Sequence, residues 1–71
     1  MDAIKDIKID DEFITLSQFL KITDLINSGG EAKSFIYFNN IYVNDEYEDR
    51  RGKKLYKGDV VKINNEVFKI C

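Results

Sequence analysis

Seventy-one residues, 44% of them apolar and 34% charged, leave room for one small globular domain. A chain this short hides only about 60% of its unfolded surface, so its core can hardly line a substrate pocket. The formal charge of −2 gives no overall attraction for a polyanion, and the lack of histidine, the lack of proline and the lone Cys71 exclude the usual zinc sites, a proline-rich linker and an internal disulfide.

No apolar run approaches the roughly 20 residues of a membrane span, and no secretory signal opens the chain, so a cytoplasmic protein without a membrane partner is expected. The net charge conceals an asymmetry. Residues 1–32 carry seven acidic and three basic side chains, whereas residues 33–71 carry six acidic and eight basic ones. Arg50, Arg51, Lys53, Lys54 and Lys57 fall within eight residues with no acid among them. Such a segment is either a solvated loop or a contact for a polyanion.

Along the chain, Ile4, Ile7 and Ile9 predict a short first strand over residues 4–9. After the acidic turn Asp10-Asp11-Glu12, Thr15 and Gln18 have capping-box spacing, and Ile14 and Phe19 have that of a hydrophobic staple. These signals predict a helix over residues 16–26 that buries Leu16, Phe19, Leu20, Thr23 and Ile26 and turns Lys21 outward. A second helix follows closely. Ser28 is its predicted N-cap, with Glu31 completing a second capping box and Ala32, Phe35 and Ile36 forming its apolar face. Asn39 and Asn40 accept the left-handed conformation that ends helices. Gly29 and Gly30 let the backbone approach either a packed neighbour or a phosphate.

Ile41 and Val43 then alternate with Tyr42 and Asn44 as in a half-buried strand, and Asn44-Asp45 suits a tight hairpin turn. Tyr47 is expected on Val43's side of that ribbon. Leu55 anchors the basic loop, and Lys57-Gly58-Asp59 is a turn before a strand over residues 60–63. Asn64-Asn65 is a further positive-φ turn before the closing strand, residues 66–70. The predicted class is α+β: two short packed helices against a small antiparallel sheet of three to four strands, in a single domain over residues 1–71.

No catalytic constellation emerges. Cys71 is terminal and no serine or threonine has an evident base; Asp45, Glu46, Glu48 and Asp49 straddle a hairpin without the spacing of a calcium loop. Neither catalysis nor a metal nor a cofactor is therefore expected. Phosphate binding fits better, since phosphates are met by cationic side chains and by amides at a helix start. Gly29 and Gly30 supply such amides and Lys33 follows one turn on, although Glu31 competes for the same partial positive charge. Tyr37 neighbours Lys33 on the helix surface, placed either to stack on an exposed base or to sit half-buried at the edge of the core. Lys21, Lys33 and the basic loop would reach several phosphates together.

Ser28-Gly-Gly-Glu-Ala-Lys33, then Ile36, then Ile41-Tyr-Val-Asn-Asp45, and finally Gly58-Asp59-Val60 resemble the S-four RNA-binding domain, or αL motif, over about residues 13–64. The family's usual run is Ser-Arg-x-x-Ala-Arg, a turn, Val-x-Val-Asn-Gly, and later Gly-Asp-x-Ile or Gly-Asp-x-Val. The run Arg50-Arg-Gly-Lys-Lys54 is similar to that of the small stand-alone YaaA/YbcJ-like branch. The resemblance implies a compact α+β domain that binds structured RNA, ribosomal or transfer RNA, in ribosome assembly, translation or its quality control. It implies contacts at Thr15 and Ser17, at Ser28, Gly29, Gly30 and Lys33, and at Arg50, Arg51, Lys53 and Lys54 in the loop. This chain departs from the pattern where many members have Arg and Asp at the positions of Thr15 and Ser17, Arg at Gly29 and Gly at Asn40. A monomer acting on RNA, with the ribosome as a further partner, is the expectation. The alternative is a protein-interaction module that keeps the fold without nucleic acid, which the acidic N-terminal half favours.

Overall fold

In the computed structural model, which describes residues 4–71, the chain opens with β1 (Ile4–Ile7), β2 (Phe13–Thr15) and α1 (Leu16–Ile22). A 3-10 turn (Gly29–Glu31) leads into α2 (Ala32–Phe38). The strands β3 (Ile41–Val43), β4 (Glu46–Tyr47), β5 (Lys54–Tyr56), β6 (Val60–Ile63) and β7 (Glu66–Ile70) complete it. Asp2, counted above in the acidic half, lies outside the described residues.

The α+β class holds, but the sheet is larger than expected and is mixed. Five strands lie in the order β1-β7-β6-β3-β4, with β1 parallel to β7 and the other pairs antiparallel. The parallel pair runs in register from Ile4↔Val67 to Ile7↔Ile70 and is extended by Cys71 N–H donating to Ile7 O and Ile9 N–H to Cys71 O, each at 2.9 Å. Its crossover is almost the entire chain, so no local sequence pattern announces it. A separate two-stranded sheet pairs β2 with β5 through Phe13↔Tyr56, Ile14↔Leu55 and Thr15↔Lys54. Neither three-residue strand has enough alternation to be read from sequence.

The core follows from period-two burial in the strands. Ile41 and Val43, Val61 and Ile63, and Phe68 and Ile70 point inward, while Tyr42, Lys62 and Lys69 stay exposed. Against them pack Leu16, Phe19 and Leu20 of α1 and Ala32 and Ile36 of α2, with Phe19 meeting Phe68 edge-on at 5.2 Å. Leu55, fully buried, is the anchor expected of the basic loop. Burying a side chain of this size is worth about 1.5–3 kcal/mol.

Several local expectations are corrected. The first helix ends at Ile22: Thr23 turns its hydroxyl back onto Phe19 O (2.9 Å), Asp24 has φ 62°, and Leu25 and Ile26 both donate to Leu20 O. Ile26 is buried all the same, from the loop. The first strand stops at Ile7 rather than residue 9. The second helix leaves in extended conformation, with Asn39 at φ −131° and its amide donating to Phe35 O, so neither Asn39 nor Asn40 is left-handed. Asn44 and Asp45 do take positive φ, 52° and 70°, whereas of Asn64 and Asn65 only Asn64 does. A two-residue turn at 44–45 places Tyr47 opposite Tyr42, so Tyr47 lies on Tyr42's exposed face and not on Val43's.

Candidate nucleic-acid interface

The basic loop is built on a buried carboxylate. Glu48, only 8% exposed, leaves β4 pointing inward, and Arg50 folds back to hold it. The Arg50 amide and Nε donate to Glu48 Oε2 at 3.0 and 2.9 Å, and Nη2 donates to Oε1 at 3.3 Å. The Arg50 side-chain hydrogen bond holds the Glu48 carboxyl below the usual carboxylate range, against the opposing effect of burial. Lys53 N–H closes the turn onto Arg50 O at 3.1 Å. The loop is then pinned to α1: Leu16 N–H donates to Lys53 O (2.8 Å) and Ser17 N–H to Arg51 O (3.0 Å). With these carbonyls turned toward the helix, the Arg51 side chain stays in solvent.

This docking brings the loop beside α2. Lys33, Arg50 and Arg51 line one shallow hollow of about 390 Å³, closed by Ile36, Asp49 and Gly52. On the other flank Lys53, Lys54 and Tyr56 border a second hollow. Arg50 is committed to Glu48, and Lys54 Nζ lies 4.9 Å above the Phe13 ring. Among the described residues Lys33 and Arg51 make no ion pair, so their charge is available to a ligand, whereas half-buried Lys53 also acts on the Glu48 carboxylate. Lys21, exposed on α1, and Ser28, Gly29 and Gly30 line neither hollow.

The two helix starts differ. At α1 the predicted capping box is complete: Thr15 Oγ1 accepts from Gln18 N–H (3.3 Å) and Gln18 Oε1 from Thr15 N–H (2.9 Å). Together with the two loop carbonyls, this occupies the amides of Thr15, Leu16, Ser17 and Gln18. Leu16 and Ser17 therefore hold the loop while Thr15 caps the helix, and a phosphate finds no free amide there. At the second helix Ser28 forms no side-chain cap, and Glu31 instead accepts from Asn27 N–H at 3.0 Å, so the second capping box is absent. The amides of Gly29 and Gly30 have no partner among the described residues. A Cβ at Gly29 would meet nothing within 4 Å and one at Gly30 only Ser28 Oγ at 3.9 Å, so no packed neighbour requires these glycines.

Tyr37 is not half-buried: it is 81% exposed, and beside it Phe38, absent from the sequence reading, is 78% exposed. Their rings meet edge-on at 5.0 Å. Phe38 escapes a sequence reading because an apolar residue at the end of a helix is taken for core. Tyr47, expected on the opposite face of its ribbon, joins them across a hollow of about 580 Å³ that also takes in Lys33 and Asp49. Glu48 was missed as the loop's organiser, although its i,i+2 spacing to Arg50 was visible.

The sequence profile of the S4 domain matches residues 7–71. The chain is also 60% identical over 57 residues, 80% of its own length and 80% of the relative's, to the probable ribosome maturation protein RlbA of Bacillus subtilis (strain 168).

Proposed function

This chain belongs to the S4 domain family, and from that premise we propose that it is a cytoplasmic, non-catalytic RNA-binding protein of ribosome maturation. In this reading it docks a folded segment of ribosomal RNA by its phosphates, as a monomer. The observation that carries the reading is the meeting of Lys33 from α2 with Arg51 from the basic loop at one hollow, neither of them neutralised by an acidic partner among the described residues. The relative's name, a probable ribosome maturation protein, supports the choice of ribosomal over transfer RNA. Phosphate contacts position a protein on RNA without reading its sequence, so selectivity falls to RNA shape and to any unpaired base within reach.

The test is charge reversal that spares the loop's own architecture. Arg50 is left intact, because its side chain is already committed to Glu48 and shapes the loop. The variant Lys33→Glu, Arg51→Glu is expected to keep the parent's circular dichroism and to lose retention of ribosomal RNA fragments at low salt. Retention equal to the parent's would refute the assignment. A nuclease-resistant protein partner, recovered with no RNA retained by either protein, would favour the interaction-module alternative.

A further inference from the structure

The hollow beneath Tyr37, Phe38 and Tyr47 is not needed to hold a phosphate backbone, and its chemistry differs from that of its neighbour. Three aromatic side chains, two of them more than three-quarters exposed, border about 580 Å³ of open space. That volume falls within the roughly 300–1,000 Å³ typical of small-ligand sites. An exposed phenylalanine beside an exposed tyrosine costs apolar hydration and returns nothing to the core, so it calls for an occupant. The occupant's chemistry is limited by what adjoins. Lys33, Ile36 and Asp49 line both this hollow and the cationic one, so the two are continuous along α2. A ligand filling both presents a flat apolar group to the aromatics and an anion to Lys33 and Arg51.

We infer that the Tyr37–Phe38–Tyr47 hollow receives one unpaired RNA base, its 5′ or 3′ phosphate lying on Lys33 and Arg51. The inference rests on the RNA-binding reading above and adds its substrate class: helical RNA interrupted by a bulged or flipped-out nucleotide. The base stacks on an exposed ring, which every base can do. Asp49, whose carboxylate repels a phosphate, lies on the shared wall and accepts from base N–H groups. A guanine, with adjacent N1–H and N2–H donors, satisfies it best. A fully paired helix keeps its bases in the stack and leaves the hollow empty.

Two RNA hairpins of equal length separate this inference from the reading beneath it, one fully paired and one with a single bulged guanosine. The parent should bind the bulged hairpin about five- to a hundredfold more tightly, the range that one base stacked on an aromatic side chain confers. Phe38→Ala, and separately Tyr37→Leu, which keeps bulk but loses the aromatic ring, should each shrink that preference. Both positions are exposed, and unchanged melting curves should confirm that the variants fold. If both hairpins bind the parent equally and with steep salt dependence, the base hollow is wrong and phosphate docking stands. A bulge preference unaltered by either substitution would also overturn it, because the bulge would then act through RNA flexibility. If neither hairpin binds, both this inference and the reading it rests on fall.

Discussion

The starts of the two helices face the same problem, unpaired amides at the end of a short helix, and solve it in opposite ways. At α1 the chain seals itself: the Thr15–Gln18 box takes two amides, and the carbonyls of Lys53 and Arg51 take two more. At the second helix a glycine pair in a 3-10 turn is left open. The contrast separates two jobs that a sequence reading merges under one heading of phosphate contacts. The sealed start is a mount. It converts a flexible run of cations into a fixed surface by turning the loop's carbonyls inward and leaving the Arg51 side chain outside. The open start leaves bare backbone apart from both hollows, and Lys33 one turn later brings its charge to the hollow that the loop borders.

The sharpest way to break this comparison is amide hydrogen exchange. The amides of Leu16 and Ser17 should open only with a sizeable part of the global unfolding free energy, while those of Gly29 and Gly30 should exchange with opening free energies near zero. Equal protection at both starts would erase the distinction. Substitution should show it next, with opposite signs. Thr15→Ala removes a working cap and should cost about 1 kcal/mol in urea unfolding. Gly29→Ala has open space and no positive φ to oppose it, and should stabilise by about 0.4–1 kcal/mol. A loss at both positions would mean that the second start is structurally constrained after all.

The smallest effect concerns the clamp inside the loop. Because Glu48 is ionised more readily in the folded protein, its pairing with Arg50 stabilises above the ordinary glutamate range and ceases to do so as the pH falls through the lowered folded value. Arg50→Gln should therefore lower the melting temperature at neutral pH by less than Thr15→Ala does, since the Arg50 side chain is 71% exposed and water replaces much of what it gives. The gap between parent and variant should close on acidification below the ordinary glutamate range. A gap that stays constant with pH would mean that the clamp acts through packing alone.

What could be read from sequence was local. The Thr15–Gln18 box, the Asn44–Asp45 turn, the strands at 60–63 and 66–70 and the buried Leu55 each follow from a pattern of a few residues, and each is found. The errors have two physical sources. Pairings between distant segments, β1 with β7 and β2 with β5, leave little trace in any one segment, and they are what enlarge the sheet and fix the basic loop on α1. The second source is competition for polar partners: Glu31 had a choice of amides and took that of Asn27, so the second capping box did not form. The position of Tyr47 could have been read correctly, because the register of a two-residue hairpin follows from its turn. The candidate cations were all visible as residues, but only the fold shows that Arg50 is spent on Glu48 while Lys33 and Arg51 meet.

The salt dependence of binding tests the central claim most directly. Each phosphate contact releases counterions, so the logarithm of the association constant falls linearly with the logarithm of the salt concentration, with a slope set by the number of contacts. For a ribosomal RNA fragment, Lys33→Gln with Arg51→Gln should make that slope shallower by about two, one per lost contact. A slope identical to the parent's would contradict the account, because the two cations that the fold brings together would then not be touching phosphate.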